Sequence, residues 1–312
     1  MPNLLSRRYR QSVDAAQYTA ATDAVGVIDR SERGKLALSG EEAVAFLDSL
    51  LSQDIAAIPL GGGADATLLE PKGHMLAEVR VLRTEDELLL DCERVALQAL
   101  FDALHNGSVG WKVELHKRTL ESGLLSVVGA LWDEVVGQPA LAWEHSHVVS
   151  EVGGVSVRLV RSRLGVDVLC AAAELERVRA GLGGVTIGED VYECVRIEAG
   201  IPRYGIDMDE ATMPQEAGLH ETAVSFTKGC YIGQETVARL YWKGKPNRHL
   251  RRLRLQEPLA PGTALFLGER QVGSVTSSTT SPRLGAIAIG MVRREAEPGA
   301  ELAPGALVES LA

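Results

Sequence analysis

The sequence predicts an α+β fold in two parts, residues 1–245 and 246–312, with the first part reading as two interleaved subdomains. Three observations carry that prediction. Up to residue 245, short alternating strands come in pairs and each pair is followed by apolar residues at helical spacing, the pattern of helices laid on antiparallel strands. Past Pro246 the helical spacing stops: segments 249–255, 264–267, 271–276 and 286–292 are separated by Pro258, Pro261-Gly262, Gly268, Pro282 and Pro298-Gly299, which predicts an all-β unit. A parallel nucleotide-binding sheet is disfavoured, because the glycine-rich stretch 181–186 lacks the third glycine of a dinucleotide loop and no GKS or GKT phosphate loop occurs.

In chain order, 14–25 reads as a short helix or irregular arm and 27–38 as strand, turn, strand. Ser39 followed three residues later by Glu42 predicts a capping box for a helix over 43–51, with Phe46, Leu47, Leu50 and Leu51 on its core face. After Gly61-Gly62-Gly63, a hairpin is predicted from 66–69, the turn Pro71-Lys72-Gly73 and the alternation 74–82. Glu78 interrupts the second strand of that hairpin. A strand over 88–92, a helix over 93–104 stopped by Asn106-Gly107 and a strand over 111–115 follow, then short strands between 124 and 169 and a helix over 174–182 closed by Gly183-Gly184.

The helix predicted over 189–199 carries an anomaly. Val191, Cys194 and Val195 form an apolar stripe, and the next slot on that stripe holds Glu198 before Gly200 and Ile201-Pro202 end the helix. A buried carboxylate needs a partner, so Glu198 is expected to meet an arginine (Arg196, Arg203 or Arg239), backbone amides or a ligand.

Composition excludes several classes. The 312 residues, 46% hydrophobic and 24% charged, contain no run near the ~20 apolar residues of a membrane span, and 1–10 is polar and basic without an apolar continuation. Neither a membrane anchor nor export is expected. Cys92, Cys170, Cys194 and Cys230 are scattered with no CxxC spacing, which argues against a disulfide framework or a self-contained metal or cluster site and places the chain in a reducing cytoplasm. His220-Glu221 opens like a zincin helix, but Val224 stands where the second histidine belongs. With 32 basic against 42 acidic side chains, general nucleic-acid affinity is not expected. Arg239, Lys243, Lys245, Arg248, Arg251, Arg252 and Arg254 nonetheless follow one another with no acid between them, as a solvated face or as a patch for an anionic ligand.

The densest chemistry lies in Lys228-Gly229-Cys230-Tyr231-Ile232-Gly233-Gln234-Glu235. A thiol between two glycines, near a lysine and ahead of a helix starting at Gln234, reads either as a buried free cysteine in a turn or as a reactive thiol. The run KGCYIGQE, continued by Thr236 to Arg239, resembles the signature of the YgfZ family of folate-binding proteins, relatives of mitochondrial iron-sulfur assembly factors. That family is similar to the aminomethyltransferase (T-protein) of the glycine cleavage system, which usually carries an aromatic residue at the position of Cys230. RIEAGIP over 196–202, the YGxD pattern from Tyr204 to Asp207, the TPxEAG-like 213–218, Gln53-Asp54, and 272–277 with Pro282 extend the resemblance almost end to end.

The resemblance implies a T-protein-like folate-binding α+β region around a central cavity, a C-terminal β-barrel, and tetrahydrofolate, or a one-carbon-substituted or polyglutamylated folate, as cofactor. It casts Glu198 as the residue gripping the pterin and Glu78 as the acid beside the folate's reactive nitrogens, where T-proteins carry aspartate. Cys230 is then the reactive thiol, and Arg239, Tyr204, Lys228 and Gln234 are further ligand contacts; the polyglutamate tail suits the basic run. Cys230, and Glu78 in place of aspartate, point to a folate-binding protein that supports assembly or repair of iron-sulfur enzymes, with those enzymes or cluster-assembly proteins as partners. The alternatives are an aminomethyltransferase passing a one-carbon unit to tetrahydrofolate, and a tRNA-modification helper.

Overall fold

The computed structural model describes residues 13–137 and 141–311; the basic segment 1–10 lies outside them. Helix α1 (Ala15–Asp23) starts where the Asp14 carboxylate accepts the Gln17 amide at 2.9 Å, one of the orphan donors of a helix N-terminus. Strands β1 (Gly26–Asp29) and β2 (Gly34–Ser39) follow as expected, but they do not form a hairpin. They enter different sheets, and the turn between them carries Arg30 and Arg33 into the space where the sheets meet.

Helix α2 (Ala43–Leu50) buries Phe46 and Leu47, but the expected capping box is absent. Ser39 is the last residue of β2, held opposite Glu87 and Glu114, and its hydroxyl meets His116 at 3.1 Å, while the Glu42 carboxylate accepts the amide of Lys112 at 2.7 Å. Strands β3 (Gly63–Leu69) and β4 (Met75–Arg83) form the expected antiparallel hairpin, and β5 (Glu87–Cys92) pairs with β4. Helix α3 (Leu97–Gly107) follows, and then β6 (Glu114–Lys117), three residues later than the alternation suggests because Trp111 lies in a turn. These strands make a five-stranded sheet in the order β3-β4-β5-β2-β6.

The chain then returns to β1. Strand β7 (Ser122–Val128) pairs with it, the short helix α4 (Trp132–Val135) intervenes, and β8 (His147–Val152), β9 (Val155–Ser162) and β10 (Gly165–Ala171) extend the ladder. After helix α5 (Leu175–Leu182), β11 (Val185–Thr186) joins β1 in parallel, which completes the order β11-β1-β7-β10-β9-β8. Helix α6 (Glu189–Glu198) leads into a long irregular segment, and α7 (Gln234–Lys243) follows.

The last unit is a six-stranded antiparallel sheet of β12 (Arg248–Leu255), β13 (Ala264–Leu267), β14 (Arg270–Ser281), β15 (Gly285–Arg293), β16 (Glu301–Leu302) and β17 (Ala306–Glu309), ordered β13-β14-β15-β12-β17-β16. Its two edges nearly close into a barrel where Phe266 and Ala303 exchange backbone hydrogen bonds at 2.9 Å. Leu253, Leu265, Val275 and Val308 fill the interior, each contributing about 1.5–3 kcal/mol by leaving water. The largest core, around Phe46, Leu47, Met75 and Leu100, continues through Tyr231 and Val237 to the barrel residues Leu250 and Ile289, so the irregular segment and α7 pack between sheet and barrel.

Among the described residues no helix is long and apolar enough to cross a membrane.

Candidate functional site

Between the first two sheets lies a cleft of about 150 Å3, lined by six arginines and six carboxylates together with His145, Tyr192 and Tyr204. Sheet alternation delivers them. Glu78 and Arg80 occupy one face of β4, and Asp65 on β3 stands directly opposite Arg80. Arg80 reaches across to Asp167 of β10 at 2.5 Å and to Asp91 of β5 at 2.6 Å, joining the two sheets. Arg33 binds Asp91 at 2.7 Å as well as Glu93; Arg30 and Arg203 each meet Glu93 at 3.0 Å; and Arg163 meets Glu144 at 2.8 Å. Two arginines hold Asp91 at about 2, against the upward push of burial.

Glu78 is the exception. Of the six lining carboxylates, five have a cationic partner and Glu78 has none among the described residues. Burial, reinforced by the neighbouring Asp65, pushes its carboxyl up to about 8 against the pull of Arg33 and Arg163. That push favours the protonated carboxyl, whose hydroxyl is a hydrogen-bond donor beside the cleft. Tyr204 also lines the cleft, but its hydroxyl donates to the carbonyl of Met75 at 3.0 Å and is engaged there.

Asp65, Glu144 and His145 place one oxygen or nitrogen each within 4.8 Å of one another, a spacing that could hold a cation. The guanidinium of Arg163, 2.8 Å from Glu144 and 3.8 Å from Asp65, already supplies the positive charge, so the trio reads as an ion-pair cluster.

The other candidates from the sequence lie outside the cleft lining. Neither Glu198 nor Cys230 lines this cleft. The Glu198 carboxylate, 7% exposed, accepts hydrogen bonds from Tyr18 at 2.6 Å, from Ser281 and from Arg283 at 3.2 Å. It ties α1 and α6 to the β14–β15 turn, which explains a carboxylate in an apolar slot. Its arginine is Arg283, 85 positions on, not Arg196, Arg203 or Arg239. Arg196 instead binds Asp207 at 2.7 Å and Glu193 at 2.6 Å.

Lys228 is engaged within the fold. Its side chain is 2% exposed, and its ammonium donates to the carbonyls of Asp48, Leu51 (3.0 Å) and Gln53 (2.8 Å) and pairs with the Asp48 carboxylate. An ammonium has three donors, so none remains for a ligand; the residue closes the C-terminal end of α2.

Cys230 is the one exposed thiol of the four, on the loop before α7, whereas burial pushes Cys92 and Cys194 up to about 12. Of the two flanking glycines only Gly233 is required. Its φ is +82°, and a Cβ there would stand 2.6 Å from the Glu70 carbonyl, whereas Gly229 faces open space. Gln234 opens α7 half-buried and Arg239 is exposed on it. The basic run is partly neutralised: Arg248 pairs with Glu216, and Arg252 and Arg254 with Glu309. Burial pushes the Lys228 ammonium down from its ordinary value, against Asp48.

Sequence reasoning missed Asp65, Arg80, Asp91 and His145. For Asp65, Arg80 and Asp91 the available signal was a charged residue within a largely apolar strand, whereas His145 lies in the turn before β8 and carried no such signal.

Residues 1–228 match the family described as GCVT N-terminal domain, and residues 248–307 match the glycine cleavage T-protein C-terminal barrel domain. An aminomethyltransferase of Corynebacterium jeikeium is 24% identical, over 97% of this chain and 87% of that protein. One from Thermotoga maritima is 27% identical, over 94% and 86%. The crystal structure of glycine cleavage system aminomethyltransferase T from Bartonella henselae superposes with a TM-score of 0.84 at 24% identity, covering 95% of this chain and 87% of that one.

Proposed function

This chain belongs to the aminomethyltransferase-like family built from a GCVT N-terminal α+β domain and a nearly closed T-protein barrel, and from that premise we propose that it binds a tetrahydrofolate in the cleft at Glu78. The observation that carries the reading is the unpaired Glu78 carboxyl, the one acid of the cleft lining without a cation among the described residues. A reduced folate offers ring and amine nitrogens that a neutral carboxyl can meet. The donor set fits such a ligand, since the arginines are neutralised by their own acids and the cleft favours a polar ring of little net charge over a polyanion. A cavity of about 150 Å3 holds one benzene-sized ring, and the cleft opens to solvent, so the two rings of a pteridine take up its enclosed part and its mouth together.

Within the family we place the chain with the YgfZ type, supporting iron-sulfur enzymes through Cys230. In support stand the KGCYIGQE run and the exposure of that thiol alone among the four. The second reading is aminomethyl transfer to tetrahydrofolate, favoured by what the curated relatives are named.

Calorimetry with 5-formyltetrahydrofolate on the wild type and on Glu78→Ala tests the shared part. The variant is expected to lose about 1–2 kcal/mol of affinity, the worth of one buried hydrogen bond; equal affinity in a folded variant rejects Glu78 as the contact. Cys230→Ser in a deletion strain separates the two finer readings: retained activity of cluster-dependent enzymes removes the thiol from the mechanism. Release of ammonia from an aminomethylated lipoyl carrier in the presence of tetrahydrofolate would establish the second reading.

A further inference from the structure

Asp65 and Glu78 stand on the two strands of one hairpin. The register sets Thr67 opposite Glu78 and Asp65 opposite Arg80, so the two acids are diagonal neighbours on the face that lines the cleft, with Cα atoms on the order of 7–8 Å apart. Their surroundings differ. Asp65 is held by the imidazole Nε2 of His145 at 3.1 Å and by Arg163 at 3.8 Å. Glu78 meets no cation among the described residues. The two guanidinium groups that face it already belong to other acids, Arg33 to Asp91 and Glu93, and Arg163 to Glu144 and Asp65.

His145 is placed at some cost. Its backbone is left-handed at φ +65°, rare outside glycine, and its amide is pinned to the Arg161 carbonyl at 2.8 Å, so that the ring lies against Asp65 with Nδ1 buried and unpartnered.

We propose that the Asp65–His145 pair is a positioning device that keeps Glu78 a neutral acid, so that the cleft selects a ligand presenting an unprotonated ring or amine nitrogen rather than a cationic amine. Two carboxylates this close do not both ionise cheaply, and the one with cationic neighbours ionises first. His145 and Arg163 hold Asp65 below its ordinary range in spite of burial. Asp65 and Glu93 then add to burial at Glu78, and Arg33 and Arg163 only partly offset them. The identity of the ligand rests on the folate reading above; the protonation of Glu78 does not.

The first test needs no ligand. In the full chain labelled with 13C at glutamate carboxyls, NMR titration is expected to show one resonance, missing in Glu78→Gln, with a midpoint near 8. Asp65→Asn is expected to lower that midpoint by more than about one unit, and His145→Phe, which frees Asp65 to take the proton, lowers it too. A wild-type midpoint in the ordinary carboxylate range, or one unmoved in either folded variant, overturns the proposal. The wild-type value decides even where a variant does not fold.

The second test is the pH profile of 5-formyltetrahydrofolate binding. Affinity falls about tenfold per unit above the Glu78 midpoint, and Glu78→Gln, which donates but does not titrate, abolishes that slope. A flat wild-type profile overturns the ligand selection. No binding at any pH sinks the folate reading and leaves the NMR result standing.

Discussion

Replacing Glu78 with glutamine is expected to stabilise the protein in neutral and alkaline solution, although it removes a half-buried acid from the candidate site. The carboxyl titrates at an ordinary 4.5 in the unfolded chain and at about 8 in the folded one. Between those values the folded state keeps a proton that the unfolded state has released, so stability falls as pH rises across that window. Each unit is worth about 1.36 kcal/mol, so the difference of 3.5 units (8 − 4.5) amounts to about 5 kcal/mol above the window and about 3 kcal/mol at pH 7. Glutamine has nearly the same shape and no titration, so subtracting wild type from variant isolates this one group. Urea unfolding followed by tryptophan fluorescence at about pH 5, 7 and 9 should show the gain of Glu78→Gln growing with pH, from under about 1 kcal/mol to several. A gain constant within about 0.5 kcal/mol across that range refutes the reasoning, because it means that Glu78 ionises in the fold as it does in water.

Lys228, Glu198 and Cys230 give further expectations. Lys228→Met leaves three carbonyls at the end of α2 without their ammonium and should cost about 3–5 kcal/mol in urea unfolding, as broken buried pairs do; a loss below about 1 kcal/mol shows that the lysine is dispensable to the fold. Glu198→Gln weakens the tie between α1, α6 and the β14–β15 turn and should cost about 1–3 kcal/mol with folate affinity unchanged. A large affinity loss in the folded variant would return Glu198 to the ligand. Ellman's reagent on the native protein should titrate one thiol per chain, and none in Cys230→Ser, because Cys92, Cys170 and Cys194 are buried; a second reactive thiol contradicts that burial.

What the sequence determined by itself is local. The β3–β4 hairpin follows from alternation around Pro71-Lys72-Gly73, α6 from its apolar stripe and the break at Gly200, and the strands of the barrel from spaced proline and glycine turns. Glu198 was visible as a carboxylate in a slot that helical periodicity assigns to an apolar residue, because that anomaly is measured against immediate neighbours, whereas Glu78 was singled out by the family resemblance. The tertiary structure alone decided what each of them meets. Glu198 found Arg283, 85 positions away, and Glu78 found no cation among the described residues, because Arg33 and Arg163, brought in by other turns, are held by other acids. Ser39 lost its cap to a strand ladder, and β1 and β2 parted into different sheets, for the same reason. Periodicity tells which face of an element turns inward, whereas the pairing of a buried charge depends on groups that only long-range packing brings within 3 or 4 Å.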